Sequence, residues 1–206
     1  MVLAVAKITD KGVNMASKKL IGALLVGALC AYTLPATAGS VTLILKAGDF
    51  RLSEEAQSIE DISLFLDEET SGVFSAELEW RNNDNVSFGG ELLMYGADWS
   101  SDFGTGGDLD TLALLFNVKR YFAVSKYVFP FVGAGIGVAS LDFDGPGGSA
   151  SASDLALQAI VGIEFRAEKV GVYIEGKYFT SAPEDDFGDE IDVTGTGVFT
   201  GLSFTF

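Results

Sequence analysis

The chain has 206 residues, with 29 acidic and 13 basic side chains, a net charge of −16, one cysteine and no histidine. That acidity argues against a nucleic-acid binder, whose phosphate contacts need a basic surface. The missing histidine removes every mechanism that uses imidazole as general base.

Residues 15–38 have the three parts of an export signal. Met15-Ala16-Ser17-Lys18-Lys19 is a short basic region, Leu20 to Leu34 is almost wholly apolar, and Pro35-Ala36-Thr37-Ala38 is a small-x-small end. The apolar run is too short for a bilayer-spanning helix. Cleavage is expected after Ala38, with Gly39 as the mature N-terminus, and residues 1–14 read as an upstream extension with Met15 as the start. Cys30 raises the alternative of an acylated lipoprotein, but Leu29 stands where such a site needs a small residue and a better cleavage site lies downstream. Without Cys30 the mature chain has no thiol and no disulfide. Residues 1–38 carry three net positive charges, so the mature chain stands at about −19.

Residues 39–206 suit one domain, and eight segments of it alternate with period two, the signature of strands with one apolar face. In order they are 41–50, 73–81, 86–97, 111–122, 127–141, 155–166, 170–178 and 193–206. The clearest is the sixth, in which Leu155, Leu157, Ala159, Val161, Ile163 and Phe165 share one face and only Ile160 breaks the other. Segments of about ten residues with this alternation have the length of a tilted transmembrane strand. Open sheet edges are forbidden in lipid, so the strands must close into a ring. The connections alternate as well: residues 82–85, 123–126 and 167–169 are short, while 51–72, 98–110, 142–154 and 181–192 are long. Trp80, Phe122, Phe165, Phe204 and Phe206 fall together at the short-turn end, facing outward, as an aromatic girdle. The competing architecture is a soluble up-and-down barrel with the apolar face inside. It is disfavoured because the opposite face, charged and rich in glycine, is expected not to form a dry core.

The stretch from Tyr127 to Val138, Tyr-Val-Phe-Pro-Phe-Val-Gly-Ala-Gly-Ile-Gly-Val, resembles the "YPYVGAGxG" strand of the small outer-membrane β-barrel superfamily, which includes OmpA- and OmpX-type barrels, opacity proteins and porin-family proteins. The C-terminal alternation Gly201-Leu202-Ser203-Phe204-Thr205-Phe206 resembles the closing strand of such barrels. The resemblance implies an all-β, eight-stranded antiparallel up-and-down transmembrane barrel, integral to the outer membrane of the Gram-negative envelope. It also implies that Phe204 and Phe206 form the signal read by the barrel-assembly machinery and periplasmic chaperones, and that lipid and lipopolysaccharide surround the barrel. Because the chain stops at the last strand, no periplasmic peptidoglycan-binding domain is expected.

The face turned away from lipid carries Lys46, Glu77, Glu79, Arg81, Glu91, Lys119, Glu164, Arg166, Glu175 and Lys177, five acids and five bases in a chain otherwise strongly acidic. Buried charges must be paired, and an eight-stranded barrel is only wide enough for side chains to fill it. A salt-bridged plug is therefore the favoured reading and a gated narrow pore the alternative. Glycines 133, 135, 137, 195, 197 and 201 share this face and leave room for Tyr95, Phe129, Phe131, Tyr173 and Phe199. Those rings favour a packed interior, or else line a route for small or apolar solutes.

Known enzymes built on small barrels depend on histidine, which this chain lacks, and alternating carboxylates such as Glu77/Glu79 or Asp108/Asp110 read more simply as a polar ladder. No metal cluster, phosphate-binding loop or nucleotide fingerprint is present in the sequence. We therefore expect no catalytic site, no cofactor and no bound metal.

The four long connections hold twenty of the twenty-eight mature acidic residues and a single base, Arg51. The first contains Glu54, Glu55, Glu60, Asp61, Asp67, Glu68 and Glu69, and the fourth Glu184, Asp185, Asp186, Asp189, Glu190 and Asp192. A solvated acidic rim accounts for them. Divalent cations at the acidic loops are the sharper alternative. Asp142-Phe143-Asp144-Gly145 begins like a calcium loop, but Ser153 stands where the closing Glu belongs. Leu52 to Phe65 reads either as a short amphipathic helix on the membrane surface or as strands rising above the bilayer. The expected function is structural support of the envelope or surface interaction through these loops.

Overall fold

The structure, a computed structural model, describes residues 39–52, 64–66, 71–82, 85–101, 106–145, 148–181 and 193–206. The expected export signal, Ala38 of the expected cleavage site and Cys30 lie outside these residues, and Gly39 opens the first strand. Among the described residues there are nine strands: β1 (Gly39–Leu52), β2 (Leu64–Leu66), β3 (Ser71–Asn82), β4 (Val86–Ser101), β5 (Gly106–Tyr121), β6 (Val128–Gly145), β7 (Gly148–Ala167), β8 (Val170–Ser181) and β9 (Gly195–Thr205). No helix occurs among the described residues.

Eight of the strands form one closed antiparallel ring in the order β1-β3-β4-β5-β6-β7-β8-β9. The ring closes where β1 meets β9, with Thr42 opposite Thr205 and Leu52 opposite Gly195. Closure leaves no strand edge within the ring, which is what a sheet in hydrocarbon requires. The three residues of β2 lie outside the ring and pair with Trp99 to Ser101 at the far end of β4.

Alternation in the sequence becomes alternation in burial. Along β8 the outward positions are exposed or half-buried and the inward ones buried, without a break. The outer face is apolar and bare: Leu114 is 65%, Val161 60% and Val198 64% exposed. Meanwhile Lys46, Glu77, Glu91 and Lys119 are buried inside. This inversion of the soluble pattern is stable only where the surrounding solvent is lipid. The girdle residues Trp80, Phe122, Phe165 and Phe206 are exposed, whereas Phe204 is half-buried. Phe88 joins them, its ring stacked on Trp80 with centroids 6.0 Å apart.

Gly39, Phe206 and the strand ends joined by the three short connections lie at one end, the periplasmic one in this architecture. Two of those turns use positive backbone angles, at Asn85 (φ 59°) and Glu168 (φ 56°). Asn85 suits that conformation, and the turn is capped by Val86 N donating to Asn82 Oδ1 at 2.9 Å.

At the outer end the structure corrects several expectations. Residues 98–110 and 142–154 are mostly strand: β4 runs to Ser101, β5 starts at Gly106, β6 ends at Gly145 and β7 starts at Gly148. β7 reaches 20 residues, and its pairing with β6 continues to Gly145 opposite Gly148. Asp142, Asp144 and Ser153 are thus ladder residues, which removes the calcium-loop geometry. Leu52 and Phe65, the expected ends of a surface helix, both lie in strands; residues 53–63 between them, and the acidic runs at 67–69 and 184–192, are outside the described residues. Tyr127 and Phe122 belong to a turn rather than to strands, and β9 begins two residues after Val193.

Candidate functional site

The most distinctive chemistry of the molecule is inside the ring, where side chains arrange in three layers. All ten charged residues expected on the inner face are there, and nine are at most 4% exposed as side chains. Arg166, at 16%, is the exception.

The central layer contains three lysines and three glutamates from five strands. Lys46 on β1 lies 2.9 Å from Glu77, 3.0 Å from Glu91 and 2.8 Å from Glu175. Lys119 on β5 lies 2.6 Å from Glu77 and 3.5 Å from Glu175. Lys177 on β8 pairs with Glu91 and lies 3.3 Å from Glu175. The six formal charges cancel. Neutral side chains complete the set: Asn117 donates to Glu77 (3.1 Å) and to Glu91 (2.9 Å), Gln158 donates to Glu91 (2.9 Å) and to Asn117 Oδ1 (2.6 Å), and the Ser75 hydroxyl donates to Glu91. A buried charge is tolerated when its remaining hydrogen-bonding capacity is met in this way.

The periplasmic layer holds Glu79, Arg81, Glu164 and Arg166, again neutral as a set. Arg81 Nη2 lies 2.9 Å from Glu79 and 3.0 Å from Glu164, and its guanidinium stacks 3.5 Å over the Tyr121 ring. Tyr121 donates to Glu79 at 2.7 Å, so the 2.8 Å contact between the two phenols makes Tyr173 the donor to Tyr121. Ser203 donates to the other oxygen of Glu164 at 3.1 Å. One contact, Lys119 to Glu79 at 3.6 Å, joins this layer to the central one. Arg166 sits at the edge, 3.9 Å from Glu164 and stacked 4.6 Å over Phe129.

The outer layer is apolar. Phe50, Val73, Leu93, Tyr95, Leu115, Leu141, Phe179 and Phe199 form one buried cluster with neighbouring alanines. Phe50 packs against Tyr95 at 4.9 Å and edge-on against Phe179 at 6.2 Å. The outer end thus departs from the expected charged, glycine-rich inner face: an apolar cluster without a charged member fills it.

Register explains the glycines of β6. Gly133 lies opposite Lys119, Gly135 opposite Asn117 and Gly137 opposite Leu115. A Cβ at Gly133 would stand 2.8 Å from Lys119 Cγ, and one at Gly135 2.9 Å from Gln158 Cγ. At Gly133 and Gly135 the missing side chain is the space into which a long side chain of a neighbouring strand leans, whereas at Gly137 a Cβ would meet the β5 backbone at Leu114 and Leu115.

Chemically, the arrangement holds charge in place. Glu77 and Glu79 share a face of β3, but both are engaged by cations or phenols and neither is open to solvent. No group of acidic, histidine or cysteine side chains among the described residues is arranged to hold a metal. Alternation placed Gln158 on the inward face without its partners and left out Tyr121, Asn117 and Ser75, as well as Phe50 and Phe179 of the outer cluster. The polar four were legible as inward-phase positions, though only the register shows whom they meet.

Sequence comparison agrees with this architecture. The outer membrane protein beta-barrel domain family matches residues 21–206, so the chain belongs to that family and is an integral protein of the bacterial outer membrane. Comparison with curated protein sequences gives no match. Among solved structures, Neisserial surface protein A is similar with a TM-score of 0.62 at 14% identity, over 84% of this chain and all of that one. OprG of Pseudomonas aeruginosa is similar at 0.55 and 10% identity, over 82% of this chain and 96% of that one. Ail of Yersinia pestis, in complex with the heparin analogue sucrose octasulfate, is similar at 0.51 and 16% identity, over 82% of this chain and all of that one. At these identities the likeness is one of fold.

Proposed function

We propose that this protein is a closed, non-enzymatic outer-membrane barrel whose lumen is a structural plug, and that it serves envelope structure or surface interaction through its acidic outer end. The observation that carries this reading is the stacking of a dry apolar layer on two charge-neutral layers, with almost every inward side chain buried. An ion crossing such a lumen would have to part paired charges and then traverse hydrocarbon. Catalysis is disfavoured because the chain has no histidine and its buried carboxylates are all engaged.

The outer end differs in kind. Register pairs the backbone of Asp98 with Asp108, of Asp108 with Asp144, and of Asp110 with Asp142, so acidic positions are neighbours along the ladder. Such a surface repels polyanions, so a sulfated saccharide like the heparin analogue in the Ail complex is a poor candidate partner. Cationic or neutral surfaces, and divalent cations shared with lipopolysaccharide, fit it better. Assembly through the terminal aromatics Phe204 and Phe206 is part of the same proposal.

Single-channel recording of the refolded barrel tests the plug. We expect a silent bilayer; steady ohmic conductance would establish the alternative, a narrow channel for small or apolar solutes.

A further inference from the structure

The three periplasmic turns are not alike. Those following β3 and β7 are short and polar, Asn83-Asp84-Asn85 and Glu168-Lys169, whereas the link between β5 and β6 is Phe122-Ala123-Val124-Ser125-Lys126-Tyr127. Its apolar residues are bare: Val124 is 71%, Phe122 49% and Tyr127 51% exposed. The turn is nevertheless well held. Phe122 N donates to Pro130 O at 2.8 Å, Val124 N to Val128 O at 3.2 Å, and Tyr127 N to Ser125 Oγ at 3.2 Å.

Two cations accompany this apolar surface. Arg120 is the outward residue that follows Val118 on β5, and it lies in register between Val86 and Val132, with Val118 and Val132 part of the exposed lipid-facing belt. Lys126 is exposed, with its ammonium 4.5 Å from the centre of the Tyr127 ring. From Arg120 to Phe131 the sequence has no acidic residue, in a chain whose acids outnumber its bases by 29 to 13. Apolar and aromatic side chains continuous with the lipid-facing belt, bordered by cations on long stems, match the boundary between acyl chains and phosphate.

We propose that the β5–β6 turn is seated in the periplasmic leaflet and binds the phosphate of an anionic phospholipid through Arg120 and Lys126. Phe122, Val124 and Tyr127 rest at the acyl boundary, and the backbone bonds to β6 hold the turn ready for this contact. A basic surface segment gains about fivefold in affinity for an anionic membrane per cation at low salt, so both residues contribute measurably. The proposal is independent of whether the lumen conducts.

The test places a single tryptophan at the tip of the turn, as Val124→Trp with Trp80→Phe and Trp99→Phe, in barrels refolded into vesicles of phosphatidylcholine with phosphatidylglycerol. Heat-modifiable migration confirms folding. We expect blue-shifted emission, and quenching by brominated phosphatidylglycerol at several-fold lower mole fraction than by brominated phosphatidylcholine. Adding Arg120→Gln and Lys126→Gln should abolish that preference, and added salt should weaken it. Water-like, unquenched emission would overturn the seating of the turn. Equal quenching by the two lipids, or a preference that survives the double substitution, would overturn the phosphate site.

Discussion

The outer and periplasmic parts of the lumen solve one packing problem in opposite ways. Around Phe50, Phe179 and Leu115 the interior is filled by hydrocarbon, so each side chain is largely interchangeable with another of its size. Around Lys46, Lys119 and Arg81 it is filled by charge, and each group is held by two or three partners, most of them on other strands. In the apolar part, a deletion leaves a hole. In the ionic part, it leaves a hole and an uncompensated charge. The two parts should therefore differ in how sharply they respond to truncation, and in whether a second substitution can repair the first.

The largest expected effects are in the ionic part. Lys119→Met leaves Glu77 and Glu175 each short of a cation, and Arg81→Ala removes the nearest cation from both Glu79 and Glu164. Denaturant unfolding of each variant in lipid vesicles should show a loss of about 3–5 kcal/mol. Combining Lys119→Met with Glu77→Gln returns the central layer to neutrality and should recover a substantial part of that loss. A double variant no better than Lys119→Met alone would mean that geometry, rather than charge balance, governs this layer.

In the apolar part, Leu115→Ala should cost about 2–5 kcal/mol, the usual range for a buried leucine. Leu115 stands opposite Gly137, which offers no side chain to fill the space, so collapse is limited. No second substitution on the charge network should rescue it. A rescue, or a loss exceeding that of Lys119→Met in the same unfolding series, would break the contrast between the two parts.

Why one part was legible in the sequence and the other was not follows from the same physics. Charged residues at alternate positions, such as Glu77-Leu78-Glu79-Trp80-Arg81, can face only one way in lipid, so phase alone places them. In Leu112-Ala113-Leu114-Leu115-Phe116 both faces are apolar and phase carries no contrast, which hid the outer cluster. The closed ring and its eight strands followed from the alternation and the terminal aromatic strand. Strand ends at the outer side did not, because Asp142 to Asp154 has turn-like composition, yet β6 and β7 stay paired through it. The cross-strand partners of Tyr121, Asn117 and Gln158 depend on register and barrel stagger, neither of which local pattern encodes.

The smallest expected effect separates burial from charge within the ionic part itself. Arg81 and Arg166 carry the same group in the same layer, and both touch Glu164. Arg81 is 4% exposed, makes contacts at 2.9 and 3.0 Å, and is covered by Tyr121. Arg166 is 16% exposed at the rim, and its single ion pair is 3.9 Å long. Glu164 also keeps Ser203 and Arg81 when Arg166 is removed, so its carboxylate is not stranded. Arg166→Ala should therefore cost only about 0–1 kcal/mol, the value for an exposed pair, with the lost stacking on Phe129 included. If unfolding shows instead that Arg166→Ala costs as much as Arg81→Ala, the periplasmic layer responds to its net charge as a unit, and burial is not what sets the cost.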